Sequence, residues 1–271
     1  EQFTSSTEGR IYRELGDALS GMVESFSFTS LAEKILSTEG GAAVQTLSDA
    51  GRAVLVRRAL EELQDNVHYY HRHRRSAAFC QMAAQTIDEL KSAGLSGQQL
   101  AQLAGACGAE SGKLSELALI FQGYETLLAR SGMDPSDRLE LAGARLEEAL
   151  ARHSLPEFLR DRAVFIDEFD TFNAPKKRLL AALLTALPQV TVALCDDGAP
   201  LVSGDTGLFA GAKQMAAQLR QLARKSGTEV AAPDLLRQDL RHKDAPGLAA
   251  VAALLEGNGT EVTQAPEVRL F

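Results

Sequence analysis

Residues 163–173 read Ala-Val-Phe-Ile-Asp-Glu-Phe-Asp-Thr-Phe-Asn, and this stretch decides the fold class. Its four apolar residues run into Asp167 and Glu168, a pattern typical of a buried parallel strand with polar boundaries. Open α/β sheets place their ligands at the carboxyl ends of such strands. There an Asp can hold Mg²⁺ through a nucleotide, and a following Glu can orient the attacking water. The alternative is a strand end followed by a solvated acidic turn.

The composition is that of a globular protein with one large or two modest domains. The chain has 271 residues, of which 45% are hydrophobic and 24% are charged. No apolar run approaches the roughly 20 residues of a membrane span, and the amino terminus lacks a secretory signal pattern. Cys80, Cys107 and Cys195 are too few and too scattered for a disulfide framework or a metal cluster, so we expect a reducing, cytoplasmic location.

The charge balance limits how the chain can handle nucleic acid. A net charge of −8 argues against a free-standing protein that binds nucleic acid by electrostatics alone. A local basic groove, or a partner that supplies most of the DNA contacts, stays compatible with it. The chain begins with Glu1 and ends with Phe271 inside an apolar run, so we expect a fragment of a longer protein.

The chain alternates between two patterns. After a helical stretch around Glu8–Leu19, the alternation over residues 22–28 predicts a strand, and Thr29 or Ser30 is a candidate cap for a helix over 31–36. From about 40 to 158 the apolar spacing predicts helices only. From 163 onward strands and helices alternate, with strands predicted at 163–166, 190–195, 229–231 and 268–271 and helices at 174–187, 213–226 and 246–255.

This order predicts an α/β fold in which one mostly parallel sheet is interrupted by an all-helical lobe. We therefore expect residues 1–38 and 159–271 to form the α/β domain, with residues 39–158 as the helical insertion. Within this division, residues 1–36 and 160–271 are expected to share one sheet.

A phosphate-binding loop is not found at the expected place. The nearest match to the Gly-x-x-x-x-Gly-Lys-Ser/Thr pattern runs from Cys107 to Leu114. Cys107 stands where the first glycine belongs, Leu114 replaces the hydroxyl residue that binds Mg²⁺, and no strand precedes it. We interpret it as a helix–helix turn and expect the true phosphate loop to lie before Glu1, so residues 1–271 alone should not hydrolyse ATP.

One stretch is both basic and aromatic: His68-Tyr69-Tyr70-His71-Arg72-His73-Arg74-Arg75. Arginines can bind phosphates and tyrosines can stack on bases, so Arg72, Arg74 and Arg75 are candidate DNA-binding residues. The alternative is a solvated helix end and loop. A metal site at His71 and His73 is disfavoured, because no Cys or carboxylate stands nearby at ligand spacing.

A second acidic pair, Asp196-Asp197, follows the strand predicted at 190–195. Two roles stay open for it. The pair can face the same crevice as Asp167, or it can merely cap a turn.

The order of these parts resembles superfamily 1 helicases of the UvrD type. Their strand-ending motif, Val-Asp-Glu-Phe-Gln-Asp-Thr-Asn, is similar to residues 166–173, with Asp170 in the Gln place and Phe172 inserted. Their Thr-Phe-His-Ser-Leu motif resembles residues 27–31, which read Ser-Phe-Thr-Ser-Leu.

The finer resemblance is to AddB-type and RexB-type subunits of the AddAB helicase–nuclease. AddB-type chains carry a Pro-Glu-Gln-x-Thr segment soon after the phosphate loop, and this chain begins Glu-Gln-Phe-Thr. Residues 47–52, 133–139, 190–194 and 207–209 are also similar to AddB sequences, so the resemblance covers nearly the whole chain.

This resemblance implies a RecA-like sheet of the P-loop NTPase type and a role in processing double-strand DNA ends for recombinational repair. It implies ATP and Mg²⁺ as cofactors of the full-length protein, with Gln2, Asp167 and Glu168 as nucleotide-binding residues. Asp167 is then the Mg²⁺ ligand and Glu168 the catalytic residue. An AddA-type subunit and DNA are the implied partners, and a membrane is not. The nuclease and its iron–sulfur cluster are expected outside these residues.

The sequence differs from the AddB-type and helicase motifs at two places that affect the expected motor activity. Glu168 stands where AddB-type subunits often have Gly, which leaves a competent ATPase open. The helicase motif after the second strand normally offers a Gln to the γ-phosphate, whereas residues 196–199 read Asp-Asp-Gly-Ala, which favours a weakened motor. The alternatives are a UvrD-like helicase with its own motor and a non-catalytic scaffold that binds DNA or a partner.

Overall fold

The computed structural model describes residues 4–108, 111–167, 169, 171–236 and 244–255. The helices are α1 (Thr4–Ser20), α2 (Phe28–Glu39), α3 (Asp49–Glu62), α4 (Ala77–Ser92), α5 (Gly97–Ala104), α6 (Ser111–Ser131), α7 (Pro135–Ala151), α8 (Ala174–Ala186), α9 (Ala210–Lys225) and α10 (Pro246–Leu255). The strands are β1 (Ala163–Ile166) and β2 (Gln189–Val192), which pair in parallel as a two-stranded sheet. None of the described helices is long and apolar enough to cross a membrane.

The chain forms two compact units. The first contains residues 1–164 and 172–190, and the second contains residues 165–171 and 191–271. The apolar core of the first unit lies among α3, α4, α5 and α6, where Val56, Ile87, Ile120 and Phe121 are almost fully buried. On α6, Phe121, Tyr124 and Leu128 are buried at steps of three and four residues, in agreement with the helix that the apolar spacing predicts there.

Serine and asparagine caps set where several helices begin. A side-chain oxygen one residue before each helix accepts a hydrogen bond from a backbone N–H of the first turn, which otherwise lacks a partner. These caps are Ser27, Ser48, Ser76, Ser96 and Asn173. The starts of these five helices are therefore local properties of the sequence.

A buried carboxylate joins three helices of the first unit. Asp134, which is 1% exposed, immediately precedes α7 and accepts a 2.5 Å hydrogen bond from the Tyr124 hydroxyl on α6. Lys91 on α4 donates 2.8 Å and 2.6 Å bonds to Asp134 and Asp137. These charge-assisted bonds satisfy groups that would be costly to bury alone. Together they raise the pKa of Lys91 against the opposing effect of burial, while burial raises the pKa of Asp137.

The strand predicted over residues 22–28 is wrong. Residues 23–27 are irregular, and α2 begins at Phe28 after the cap Ser27, not after Thr29 or Ser30. Ser27 and Ser30 form a reciprocal capping box, and the burial of Phe28, Ala32 and Ile35 follows a helical period. This capping and burial override the short alternation of apolar and polar residues.

The strand predicted at 163–166 is confirmed with its bounds, but its predicted burial is wrong. Only Ile166 is buried, and Phe165 is 72% exposed, because the described part of the chain gives β1 a single neighbouring strand. The second predicted strand, 190–195, is shorter in the structure and ends at Val192.

Two other strand predictions have different outcomes. Residues 229–231 are irregular, so the strand predicted there is wrong, whereas residues 268–271 lie outside the described residues. Described residues 4–36 contribute no strand to the sheet, so the sheet predicted to be shared by residues 1–36 and 160–271 does not form there.

The fold class holds in a coarser form: the chain is α/β and mostly helical, with a small parallel sheet. The block from 53 to 150 contains no strand among its described residues, as predicted. An isolated bridge pairs Thr46, just before this block, with Met133 inside it. The RecA-like sheet and the domain limits at 38 and 159 stay predictions.

We expect Asp134→Ala to lower the free energy of unfolding of the first unit by about 3–5 kcal/mol, because Lys91 and Tyr124 lose a buried charged partner. Tyr124→Phe should cost about 1.5–3 kcal/mol, the usual contribution of a hydrogen bond to a charged group. Urea unfolding measures both changes. Arg57→Ala is the control, since Arg57 and Glu61 form an exposed pair and should contribute within about 0.5 kcal/mol. An Asp134→Ala loss no larger than that of Arg57→Ala would contradict the expectation.

Candidate functional site

The predicted nucleotide-binding residues are only partly described. Asp167 follows β1 directly and is exposed, whereas Gln2 and Glu168 lie outside the described residues. The carboxyl ends of β1 and β2 meet at one edge, where the Ala193 N–H donates a 2.8 Å bond to the Ile166 carbonyl. Asp167 therefore stands at the edge where α/β sheets place ligands.

The two aspartates after β2 are engaged in turns. Asp196 accepts a 2.9 Å bond from the Gly198 N–H, and Asp197 accepts one of the same length from the Ala199 N–H. These are Asx turns, in which a short carboxylate takes the place of a backbone acceptor. Of the two roles open for this pair, turn capping is the one that the structure shows.

Asp197 also has a charged partner on α9. Lys213, which is 8% exposed, lies 2.8 Å from Asp197 Oδ1 and 3.8 Å from Asp205 Oδ2. The hydrogen bond from Lys213 lowers the pKa of Asp197, with the Ala199 N–H adding to the effect. In return Asp197 raises the pKa of Lys213. Asp197 is thus committed to an ion pair.

The described residues supply little of a metal site at this edge. Among them, no group of three or more His, Cys, Asp or Glu side chains lies close enough to hold a metal ion. Mg²⁺ usually needs only one or two carboxylates when a nucleotide phosphate completes its shell. Asp167 fits that requirement as one oxygen ligand.

The basic and aromatic stretch, which we call the basic segment (residues 68–75), lies between α3 and α4. It contains a short 3₁₀ turn over His71–His73. Arg72 and Arg75 are exposed and Arg74 is partly buried, so the three predicted DNA-binding residues lie together on one short surface segment. The Cys80 thiol on α4 contacts the Arg74 carbonyl at 4.0 Å.

A buried carboxylate on α6 holds the start of the basic segment. Glu116, which is 7% exposed, accepts hydrogen bonds from three consecutive backbone N–H groups. The distances are 2.7 Å from His68, 3.0 and 2.9 Å from Tyr69, and 3.2 Å from Tyr70. Both carboxylate oxygens are used, so the segment is fixed on a rigid helix rather than hanging as a loose loop.

Ring contacts hold the middle of the basic segment. The Tyr70 ring stacks on Phe79 of α4, with centroids 5.3 Å apart and planes at 29°. His73 lies against the same Phe79 ring, with centroids 5.7 Å apart. Tyr70 and His73 therefore serve packing, while Tyr69 remains 57% exposed.

Sequence reasoning missed two residues of these sites. Glu116 stands within the amphipathic pattern of α6, 48 residues from His68, so no local spacing connects them. Lys213 is 16 residues from Asp197, and its burial on α9 runs against the usual exposure of lysine. The available signal was weak in both cases: a charged residue at a position that helical spacing turns inward.

The near match to a phosphate loop has another role. Helix α5 ends at Ala104 and α6 begins at Ser111, so the described part of residues 107–114 joins two helices, as predicted. Gly112 lies against one edge of the Tyr69 ring, and a Cβ added there would come within 2.9 Å of Tyr69 Cε2. Gly112, the glycine of this near match, thus leaves space for the Tyr69 ring.

Several known proteins are similar in sequence to most of this chain. A family model described as "ADDB, N-terminal" matches residues 1–252. A protein of Desulforudis audaxviator, named as the B subunit of an ATP-dependent helicase/deoxyribonuclease, is 33% identical over 258 residues, covering 92% of this chain and 21% of that protein. Proteins of the same name from Moorella thermoacetica and Symbiobacterium thermophilum are each 31% identical, over 93% and 84% of this chain and 22% and 20% of their own lengths. The chain spans about a fifth of these curated relatives.

We expect Glu116→Ala to loosen the basic segment. Removing the carboxylate leaves the His68, Tyr69 and Tyr70 amides without their acceptor, which should cost about 1–3 kcal/mol of unfolding free energy. Hydrogen exchange at these three amides should accelerate about five- to 150-fold, the factor that corresponds to this loss of about 1–3 kcal/mol. Glu116→Gln should lie between, because an amide offers one acceptor oxygen.

The control for Glu116 is Glu62→Ala on α3, which removes only an exposed pair with Arg58. It should leave exchange at residues 68–70 unchanged. Unchanged exchange in Glu116→Ala as well would show that the ring contacts alone hold the segment.

We expect the Asp197–Lys213 pair to contribute stability above the ordinary Asp pKa of about 3.9 and to lose it as the pH falls through the lowered pKa of Asp197. Lys213→Met should raise the pKa of Asp197 back toward the ordinary range. Carboxyl titration by NMR measures the shift, with Lys225→Met, an exposed lysine of α9, as control. An Asp197 pKa equal in all three proteins would contradict the assignment.

Proposed function

Because this chain belongs to the family of AddB amino-terminal domains, we propose that it is the helicase-like part of an ATP-dependent helicase–exodeoxyribonuclease subunit. The full-length protein processes double-strand DNA ends for recombinational repair, in the cytoplasm, together with an AddA-type subunit. The relatives, each named as the B subunit of an ATP-dependent helicase/deoxyribonuclease, support this reading. The iron–sulfur cluster and the nuclease belong to other parts of the full-length protein.

The observation that carries a DNA-binding role is the basic segment held by Glu116. Arg72, Arg74 and Arg75 lie within four residues of one another on a backbone anchored at its amino-terminal end. Because this backbone is held before DNA arrives, binding loses less conformational entropy than binding by a loose loop. The net charge of −8 keeps the local contribution modest, so most DNA contacts come from the partner.

We assign the nucleotide-binding role to Gln2, Asp167 and Glu168, and we propose that the full-length protein forms a RecA-like sheet. Magnesium bound with ATP would neutralise the charge that develops on the phosphates. Asp167 is placed to supply an oxygen ligand to that ion, and Glu168 is the candidate that orients the attacking water.

A strong motor in this chain is less well supported. Asp197, in the region where helicases offer a Gln to the γ-phosphate, is paired with Lys213 and bonded to the Ala199 N–H. The Asp197 side chain is therefore engaged in structural contacts. This favours a subunit that scans or binds DNA over a UvrD-like helicase with full motor activity.

We expect residues 1–271 to bind forked DNA weakly and the Arg72/Arg74/Arg75→Ala variant to bind it more weakly still. Each lost phosphate contact should reduce the slope of log K against log salt by about 0.9, so three contacts account for a slope change of up to about 2.7. Fluorescence anisotropy at several low salt concentrations measures affinity and slope together.

A charge-matched control separates the basic segment from overall charge. Arg57, Arg58 and Arg130 are exposed arginines of α3 and α6, and their triple replacement by Ala removes the same three charges elsewhere. This control should keep the salt slope of the unaltered protein. Equal affinity and slope in both triple variants would show that the basic segment is only a solvated surface.

A further inference from the structure

The two adjacent tyrosines of the basic segment have different structural roles. Tyr70 turns its ring onto Phe79 at 5.3 Å and is partly buried. Tyr69 is 57% exposed, and its ring edge lies against Gly112 in the first turn of α6. One tyrosine is therefore part of the packing, and the other is presented to solvent.

The exposed ring is held in place from two sides. The Tyr69 N–H donates to both oxygens of the buried Glu116 carboxylate, at 3.0 and 2.9 Å. Gly112 lets the ring approach the helix, since a Cβ there would come within 2.9 Å of Tyr69 Cε2. A large apolar surface that is both exposed and supported loses little freedom when a flat ligand binds to it.

The surroundings of the ring indicate which flat ligand fits. Arg72 and Arg75 are exposed within six residues of Tyr69, and His68 and His71 beside them are exposed too. The carboxylate that is bonded to the backbone here, Glu116, is buried and accepts hydrogen bonds through both of its oxygens. An exposed aromatic ring beside arginines matches the surfaces that bind unpaired nucleotides, where bases stack on rings and phosphates meet cations.

We propose that Tyr69 is a stacking platform for one unpaired base and that the basic segment binds single-stranded DNA in preference to duplex. A base inside a duplex has both faces covered by its neighbours, so a ring at the surface can stack only on a base that has left the helix. The arginines contact the phosphates that flank this base. The inference rests on the proposed DNA-binding function and adds the strand type and the residue that recognises it.

The test compares two single strands that differ only in their bases. The probes are an oligothymidine of about 12 nucleotides, within the usual site size for single-strand binding, and an abasic strand of the same length and charge. The full chain should bind the oligothymidine roughly tenfold more tightly than the abasic strand. Tyr69→Ala should lower oligothymidine affinity to the abasic level and leave abasic affinity unchanged, whereas Tyr69→Phe should keep the difference.

Tyr12→Ala is the matched control, because Tyr12 is 53% exposed on α1 and lies outside the basic segment. It should bind both strands like the unaltered chain. Thermal unfolding of every variant confirms that it is folded. If Tyr69→Ala weakens binding to both strands equally, Tyr69 acts on the segment's structure and the stacking proposal is wrong.

The same titration separates failure of this inference from failure of the proposed function. If Arg72/Arg74/Arg75→Ala weakens binding to both strands while Tyr69→Ala binds like the unaltered chain, DNA binding stands and stacking is overturned. If the arginine variant also binds like the unaltered chain, DNA is not bound by this segment and both proposals fall. A blunt duplex bound as tightly as the oligothymidine would overturn the preference for single strands.

Discussion

The buried carboxylate of Asp134 is the contact on which the helical unit depends. It lies at the start of α7 and is bonded to Tyr124 of α6 and Lys91 of α4, so one charged group fixes three helices relative to one another. An apolar contact at this place would tolerate sliding of the helices, whereas a buried charge is stable only in the arrangement that pairs it. The Asp134 contact therefore favours one rotation of α6 about its axis, together with the apolar packing of Phe121 and Leu128.

Helix α6 also holds the basic segment, through a second buried carboxylate. Glu116 lies eight residues before Tyr124 and is turned toward the first residues of the basic segment, where it accepts their backbone N–H groups. A long helix fixed at Asp134 thus presents an acceptor at a defined place about two turns away. The proposed DNA surface is therefore held in place by a helix that is itself packed in the core. Glu116 holds the backbone of residues 68–70, just before the arginines of the basic segment.

The two acidic sites of the second unit show how similar residues take different roles. Asp167 stands exposed at the end of β1, while Asp197, after β2, is paired with Lys213 and holds a turn. Both were candidates for the same crevice on sequence grounds. Asp197 takes its structural role because it pairs with Lys213 of α9. The burial of Lys213 cannot be read from the local sequence around either aspartate. The pairing of Asp197 with Lys213 supports the proposal of a weakened motor.

Local sequence by itself determined the helices and the strand β1, since capping residues such as Ser48 and Asn173 and apolar spacing act within a few residues. It also located Asp167 and the three arginines. It misled at residues 22–28, where a short alternation competed with the Ser27–Ser30 capping box, and it overstated the burial of Phe165. The partners of Glu116 and Lys213, and the exposure of Tyr69 rather than Tyr70, depend on tertiary packing. These partners are 16 to 48 residues away, and contacts at that distance depend on how whole helices pack.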